Sequence, residues 1–171
     1  MNWDDREALK RHIVNACVRA ANAKGLSDAS GVLRGTLFLA LEPVSMDQLV
    51  EETGYSKSTV SANMSLLENL GVAKRIVIPG DKRYHYVPVT DTDCLRTVML
   101  ANLKVEIQLI LDALDLTERD LKEHEPDAQS LRERLSNIRH FYKQTLKLID
   151  LMSMHTMDEL IELLEKKSKS A

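Results

Sequence analysis

The sequence predicts a mainly α-helical chain with one compact, turn-rich middle that carries a β-hairpin. Three observations predict it. Five of the six glycines and three of the four prolines lie between Gly31 and Pro88, and such punctuation marks short elements and turns. Within that stretch, three capped helical segments precede two β-rich runs. Beyond Val89 only Pro126 interrupts the helical pattern. The 171 residues, 44% of them hydrophobic, suit one or two compact units with a real core, which excludes disorder.

The first element is an amphipathic helix from Asp4 to Ala23, a run free of glycine and proline. Leu9, Ile13, Ala16, Cys17 and Ala20 recur at helical spacing, and Asp4 with Glu7 three residues later resembles an N-terminal capping pair. A second helix is expected from Val32 to Leu41, ending before Pro43. Ser45 opens the third, with Gln48 placed as in a capping box and Gly54 as its stop. Ser56 caps the fourth, Lys57 to Leu70, which Gly71 terminates. The following VAKRIVIPGDKRYHYVPV reads as two strands on either side of Pro79-Gly80-Asp81. Short helices followed by a hairpin give a winged helix-turn-helix, with the wing at residues 74–88.

From Thr90 onward long helices follow. Leu100, Leu103, Ile107, Ile110 and Leu114 alternate by three and four, as do Leu131, Leu135, Ile138, Tyr142 and Ile149 with Thr145 in one position. Thr156, with Glu159 three residues on, caps a last helix carrying Leu160, Ile161, Leu163 and Leu164, and the KKSKSA tail is expected to fray. Helices in a row cover their own apolar stripes poorly, so a homodimer is expected rather than a self-contained monomeric bundle. The fold class is therefore mainly α: a winged helix-turn-helix flanked by an N-terminal helix and long C-terminal dimerisation helices. The expected division is 1–26 for the N-terminal helix, 27–90 for the winged unit and 91–171 for the helical dimerisation region.

Residues 57–70 form the expected recognition helix. At about 100° per residue, Val60, Met64, Leu67 and Leu70 share one arc with Leu66 at its edge. The opposite arc holds Ser58, Ser61, Ala62 and Ser65 beside Lys57. A solvated helix would more often carry Glu and Lys there. Short side chains instead leave room for close approach to a major groove, where hydroxyls can bond base edges or phosphates. Asn63 falls on the core side of the wheel and is expected to make a structural hydrogen bond.

The formal charge of -3 first argues against nucleic acid, but it is unevenly spread. From Thr53 to Thr90 the bases Lys57, Lys74, Arg75, Lys82 and Arg83 face only Glu68 and Asp81, giving 5 - 2 = +3 and leaving -6 elsewhere. A small basic head on an acidic body places phosphate neutralisation on this helix and wing. Lys82 and Arg83 at the hairpin tip are placed to touch phosphate or enter a minor groove.

The block from Leu33 to Tyr86 resembles the GbsR-type branch of MarR-like winged helix-turn-helix transcriptional regulators. The similarity rests on Ser56-Lys57-Ser58-Thr59-Val60-Ser61 with Asn63, on Leu67-to-Gly71 at the helix end, and on the wing Ile78-Pro79-Gly80-Asp81-Lys82-Arg83-Tyr84-His85-Tyr86. The resemblance implies a homodimeric transcription factor with Lys57, Ser58, Thr59 and Ser61 in the major groove and Lys82 and Arg83 on the wing. It also implies that the terminal helices dimerise. With the cap and the exposed arc, the candidate DNA-contact set is Ser56, Lys57, Ser58, Thr59, Ser61, Ala62, Ser65, Lys82 and Arg83. Family members often carry arginine where Ser65 stands, so a phosphate contact is missing here. Choline-sensing members need an aromatic cage. Of seven aromatics here, Tyr55, Tyr84 and Tyr86 belong to the DNA-binding part and Phe38 to its core, leaving Trp3, Phe141 and Tyr142 as packing residues. Choline sensing does not carry over.

No phosphate loop, nucleophile elbow or paired His-carboxylate motif is present, so no enzyme and no cofactor are expected. Cys17 and Cys94 are expected as buried, inert thiols. Lys122 to Glu125 and His155 with Glu159 each offer two metal ligands, too few for a site. The acidic amino terminus is unlike a signal peptide, and no apolar run approaches a membrane span, so a cytoplasmic protein without a membrane partner is expected. The expected partner is double-stranded DNA, and a small-molecule effector has no identifiable site. The alternative is a protein-interaction module docking a partner of the transcription machinery, motivated by the acidity and the arginine-poor recognition face.

Overall fold

A computed structural model describes the backbone of residues 3–121 and 128–169 and the side chains of 10–121 and 129–169. The elements run α1 (Trp3–Asn22), α2 (Asp28–Leu39), β1 (Val44–Ser45), α3 (Met46–Thr53), α4 (Lys57–Asn69), β2 (Ala73–Val77), β3 (Tyr84–Pro88), α5 (Thr92–Asp120), α6 (Ala128–Ser153) and α7 (Met157–Ser168). They fall into two compact units, Met1–Leu95 and Arg96–Ala171. The Asp4–Glu7 cap and the side chains of Trp3 and Leu9 lie outside the described residues, as do Lys122 to Glu125 and Pro126.

In the first unit α2 begins four residues earlier than the sequence suggests. Ser27 caps it, accepting the Ser30 N–H at 3.2 Å. Gly31 therefore sits inside the helix, where glycine ordinarily costs helix stability. Its reason is the neighbour: a Cβ at Gly31 would stand 2.4 Å from Val18 Cα and 2.9 Å from the Cys17 carbonyl oxygen, and one at Gly35 would stand 2.8 Å from Val14 Cα. The two glycines let the backbones of α1 and α2 approach closely. This contact also fixes which face of α1 is buried. Cys17 and Ala21 are buried with Val14 and Val18 half-buried, whereas Ile13, Ala16 and Ala20 of the expected stripe are exposed. The face chosen is the one that fits the glycines.

Ser45 and Gln48 form the reciprocal capping box of α3, which Gly54 ends in the left-handed region at φ 71°. α4 closes with a glycine-centred reverse turn: Gly71 N–H donates to the Glu68 carbonyl at 2.9 Å and Val72 N–H to that of Leu67 at 3.0 Å. Val60, Met64 and Leu67 are buried as their arc predicts, while Leu66 and Leu70 are half-buried. They pack with Leu33 and Leu37 of α2, Leu49 of α3 and Tyr86 of β3 in one core. Phe38, expected in that core, is instead 40% exposed with the Arg34 guanidinium 5.1 Å from its ring centroid. Leu33 and Leu37, four residues apart, take the inward face of α2, and Phe38, one position on, falls beside it.

The wing strands β2 and β3 pair antiparallel, with Arg75 opposite Tyr86 and Val77 opposite Tyr84. A third strand, β1, pairs with the other edge of β3 through Val44–Tyr86 and Ser45–His85. Two residues are too few to show strand alternation, so no periodic pattern marks it.

In the second unit Ile107, Leu111 and Leu114 of α5 pack with Leu135 and Ile149 of α6. The predicted stripes hold at Ile107, Leu114, Leu135 and Ile149, but Leu111 is buried outside them, and Leu103 and Leu131 within them are 46% and 39% exposed. Thr156 and Glu159 form the capping box of α7, in which no described residue is buried. Cys94 is exposed rather than buried, because it lies at the start of α5, where its N–H is capped by Asp91 Oδ1 at 2.9 Å. Cys17 is buried, and desolvation pushes its thiol up.

Candidate nucleic-acid interface

Three hydroxyls meet at the start of α4. Ser56 Oγ accepts the Thr59 N–H at 3.2 Å and lies 2.9 Å from Ser58 Oγ and 2.8 Å from Thr59 Oγ1. The helix therefore opens with a satisfied cap and a run of short side chains whose remaining hydrogen-bonding capacity faces outward. Ser56, Lys57, Ser58, Ser61, Ala62 and Ser65 are exposed, whereas Thr59 is half-buried against its cap. Lys57 does not extend freely into solvent, since its Nζ lies 3.0 Å from Asp47 Oδ1 on α3.

Asn63 behaves as its position on the wheel predicts. Its Oδ1 accepts from the Ser27 hydroxyl at 2.8 Å and the Ser30 hydroxyl at 2.7 Å, and its Nδ2 donates to the Thr59 carbonyl at 2.8 Å. The side chain most suited to reading adenine in a major groove is spent on joining α4 to α2.

Lys82 and Arg83 sit exposed in the loop between β2 and β3. Asp81 folds Arg83 back on the loop: its carboxylate accepts the Arg83 N–H at 2.9 Å, Nε at 3.0 Å and Nη2 at 2.6 Å. These bonds hold the Asp81 carboxyl well below the usual carboxylate range. Buried His85 stands behind the same group, with Nε2 3.6 Å from Asp81 Oδ2 and Nδ1 3.2 Å from the Arg83 carbonyl oxygen.

The formal charge of the head thus overstates its loose cation. Lys57, Arg75 and Arg83 are each matched by a carboxylate, from Asp47, Glu68 and Asp81 respectively. Lys74 and Lys82 have no such partner among the described residues. This acidic layer was not apparent in the sequence. Asp47–Lys57 and Glu68–Arg75 join different elements, and only the spacing of Asp81 and Arg83 on one short loop was a local signal. The surface offers hydroxyl donors and acceptors, two unmatched ammonium groups and a pre-positioned guanidinium. That set suits a polyanion with polar edges better than an apolar ligand.

No group of three or more metal-ligating side chains exists among the described residues, and His155 and Glu159 remain a pair 3.6 Å apart. A cavity of about 200 Å³ between α5 and α6, lined by Leu100, Lys104 and Ile149 among others, is small beside ordinary ligand pockets of roughly 300–1,000 Å³. No described helix is long and apolar enough to cross a membrane.

Residues 37–83, from the end of α2 to the wing loop, match the model of the MarR family. A solved structure described as a transcriptional regulator aligns with a TM-score of 0.68 at 18% identity, covering 84% of this chain and 95% of that one. The likeness establishes a shared winged-helix fold. MepR, a transcription regulator of the Staphylococcus aureus multidrug efflux pump MepA, aligns with a TM-score of 0.40 at 12% identity, covering 99% and 96%. A MepR mutant from the same organism bound to an oligodeoxyribonucleotide aligns with a TM-score of 0.40 at 15% identity, covering 81% and 99%. No curated protein matches.

Proposed function

We propose that this chain is a homodimeric, sequence-specific DNA-binding transcriptional regulator of the MarR type, acting in the cytoplasm. The observation that carries the reading is the exposed face of α4, where Ser58, Ser61, Ala62 and Ser65 leave a helix free of bulk beside a cation-bearing wing. Such a face can lie in a major groove while Lys82 and Arg83 reach the backbone or the adjacent minor groove. The MarR match spans this same stretch, residues 37–83. The GbsR-type assignment rests on the Ser56-to-Asn63, Leu67-to-Gly71 and Ile78-to-Tyr86 blocks.

Support for the dimer is the apolar surface that the chain does not cover by itself. Leu109 and Leu116 of α5, Phe141 of α6 and Leu164 of α7 are 65%, 59%, 62% and 70% exposed. On α1 the exposed Ile13, Ala16 and Ala20 form a second such stripe. A second copy would bury these faces and bring two recognition helices to one duplex.

The test is binding of the full chain to genomic fragments, including its own upstream region, across several salt concentrations. The reading expects a steep loss of affinity with salt and a slope reduced by about one when Lys82 becomes alanine. Absence of any shift at low salt refutes DNA binding; a slope indifferent to Lys82 refutes the role of the wing.

A further inference from the structure

One guanidinium joins the recognition helix to both strands of the wing. Arg75, in the middle of β2, donates from Nε to Glu68 Oε1 at 3.1 Å and from Nη2 to Glu68 Oε2 at 2.6 Å, a two-pronged grip on a carboxylate in the last turn of α4. The same guanidinium lies 4.8 Å from the centroid of Tyr84 and 5.9 Å from that of Tyr86, both on β3. Tyr86 is buried in the core, but Tyr84 and its cross-strand partner Val77 are 53% and 69% exposed. The outer half of the hairpin therefore lacks a core beneath it. Two strands alone are marginal in water, and the cluster around Arg75 is what ties that half to α4.

Glu68 is also in an unexpected place for a DNA-reading head. It follows Ser61 by seven residues and Ser65 by three, which sets it at the edge of the exposed arc. A carboxylate there opposes phosphate, so its value lies in what it holds. We propose that Glu68, Arg75 and Tyr84 are positioning residues that fix the wing at one angle to the recognition helix and so set the discrimination between operator and random DNA. The inference rests on the DNA-binding reading above. Ordering the wing before DNA arrives removes that entropy cost from the specific complex, whereas non-specific binding, which needs only charge, gains little from it.

Opposite signs make this testable. Full-length wild type, Glu68→Gln, Arg75→Lys and the double variant are titrated with the best genomic fragment and with a random duplex over a salt series, after thermal melts establish folding. The brace predicts that each single change lowers the ratio of specific to random affinity by about fivefold to tenfold. Glu68→Gln should bind random duplex at least as tightly as wild type, since a negative charge is gone. Arg75→Lys should keep the wild-type salt slope, and the double variant should be no worse than the singles because both break one contact. Unchanged ratios in both singles overturn the inference. So does an Arg75→Ala variant that loses about one unit of slope while Arg75→Lys retains full affinity, which marks a direct phosphate contact. A wild type that binds no duplex is a different failure, that of the DNA-binding reading itself.

Discussion

Replacing Asn63 with alanine should lower stability far more than it lowers DNA affinity. The side chain makes three hydrogen bonds of 2.7–2.8 Å, two of which join α4 to α2 and its cap. Ser30, one of its donors, is 1% exposed, so water cannot replace the lost acceptor there. The loss is not complete: Ser30 Oγ keeps its 3.1 Å contact with Ser27 Oγ, and Ser27 Oγ still accepts the Ser30 N–H. One poorly satisfied buried hydroxyl and the lost tie then cost about 1–3 kcal/mol. For a unit of the size of Met1–Leu95, each kcal/mol moves the melting temperature by roughly 4–8 °C. Thermal and urea unfolding followed by circular dichroism measure the change, and operator titration below the lowered melting point measures affinity. A melting temperature within about 1 °C of wild type, together with a tenfold or greater loss of operator affinity, would show that Asn63 reads a base and refute the structural role.

Other changes separate the remaining parts of the account. Gly31→Ala pushes a Cβ to 2.4 Å from Val18 Cα and should destabilise by about 1–3 kcal/mol or more through overpacking of α1 on α2, read as a lower urea midpoint. Asp81→Asn should release Arg83, tighten binding to random duplex and steepen its salt slope by up to about one unit. The depressed Asp81 carboxyl gives a pH expectation with a definite sign. Its stabilising effect is present above the ordinary carboxylate range and lost only as pH falls through the depressed value, so the Asp81–Arg83 clamp should stay unchanged from pH 5 to 8, as the Asp81 carboxyl carbon shift would report. Thr156→Ala removes the cap of α7 and should reduce helicity with a cost of about 1 kcal/mol.

Local chemistry was legible in the sequence wherever a few neighbouring residues decide the outcome. The caps at Ser45, Ser56 and Thr156, the glycine stops at Gly54 and Gly71, and the inward arc of Val60, Met64 and Leu67 all follow from spacing alone. What escaped depends on partners distant in the chain. Gly31 lies inside α2 with its Cα side against Val18, a contact that no local pattern shows, and the start of α2 was therefore placed too late. The buried face of α1 was misjudged for the same reason, because Ile13 and Val14 are equally apolar and only the glycines of α2 choose between them. At the candidate interface the exposed serines were foreseeable from the wheel. The carboxylates that hold Lys57 and Arg75 were not, since an ion pair across elements leaves no periodic trace.

In the proposed complex, α4 and the wing of two copies read one duplex. Its most direct test is a footprint of the full-length chain on its best genomic fragment, with affinity followed across salt. Two protected half-sites are expected, related as a near-palindrome and centred about 34 Å apart, with a strong salt dependence. Protection of one asymmetric half-site would contradict the pairing of two heads, and no protection even at low salt would contradict the reading of this surface as a DNA-binding one.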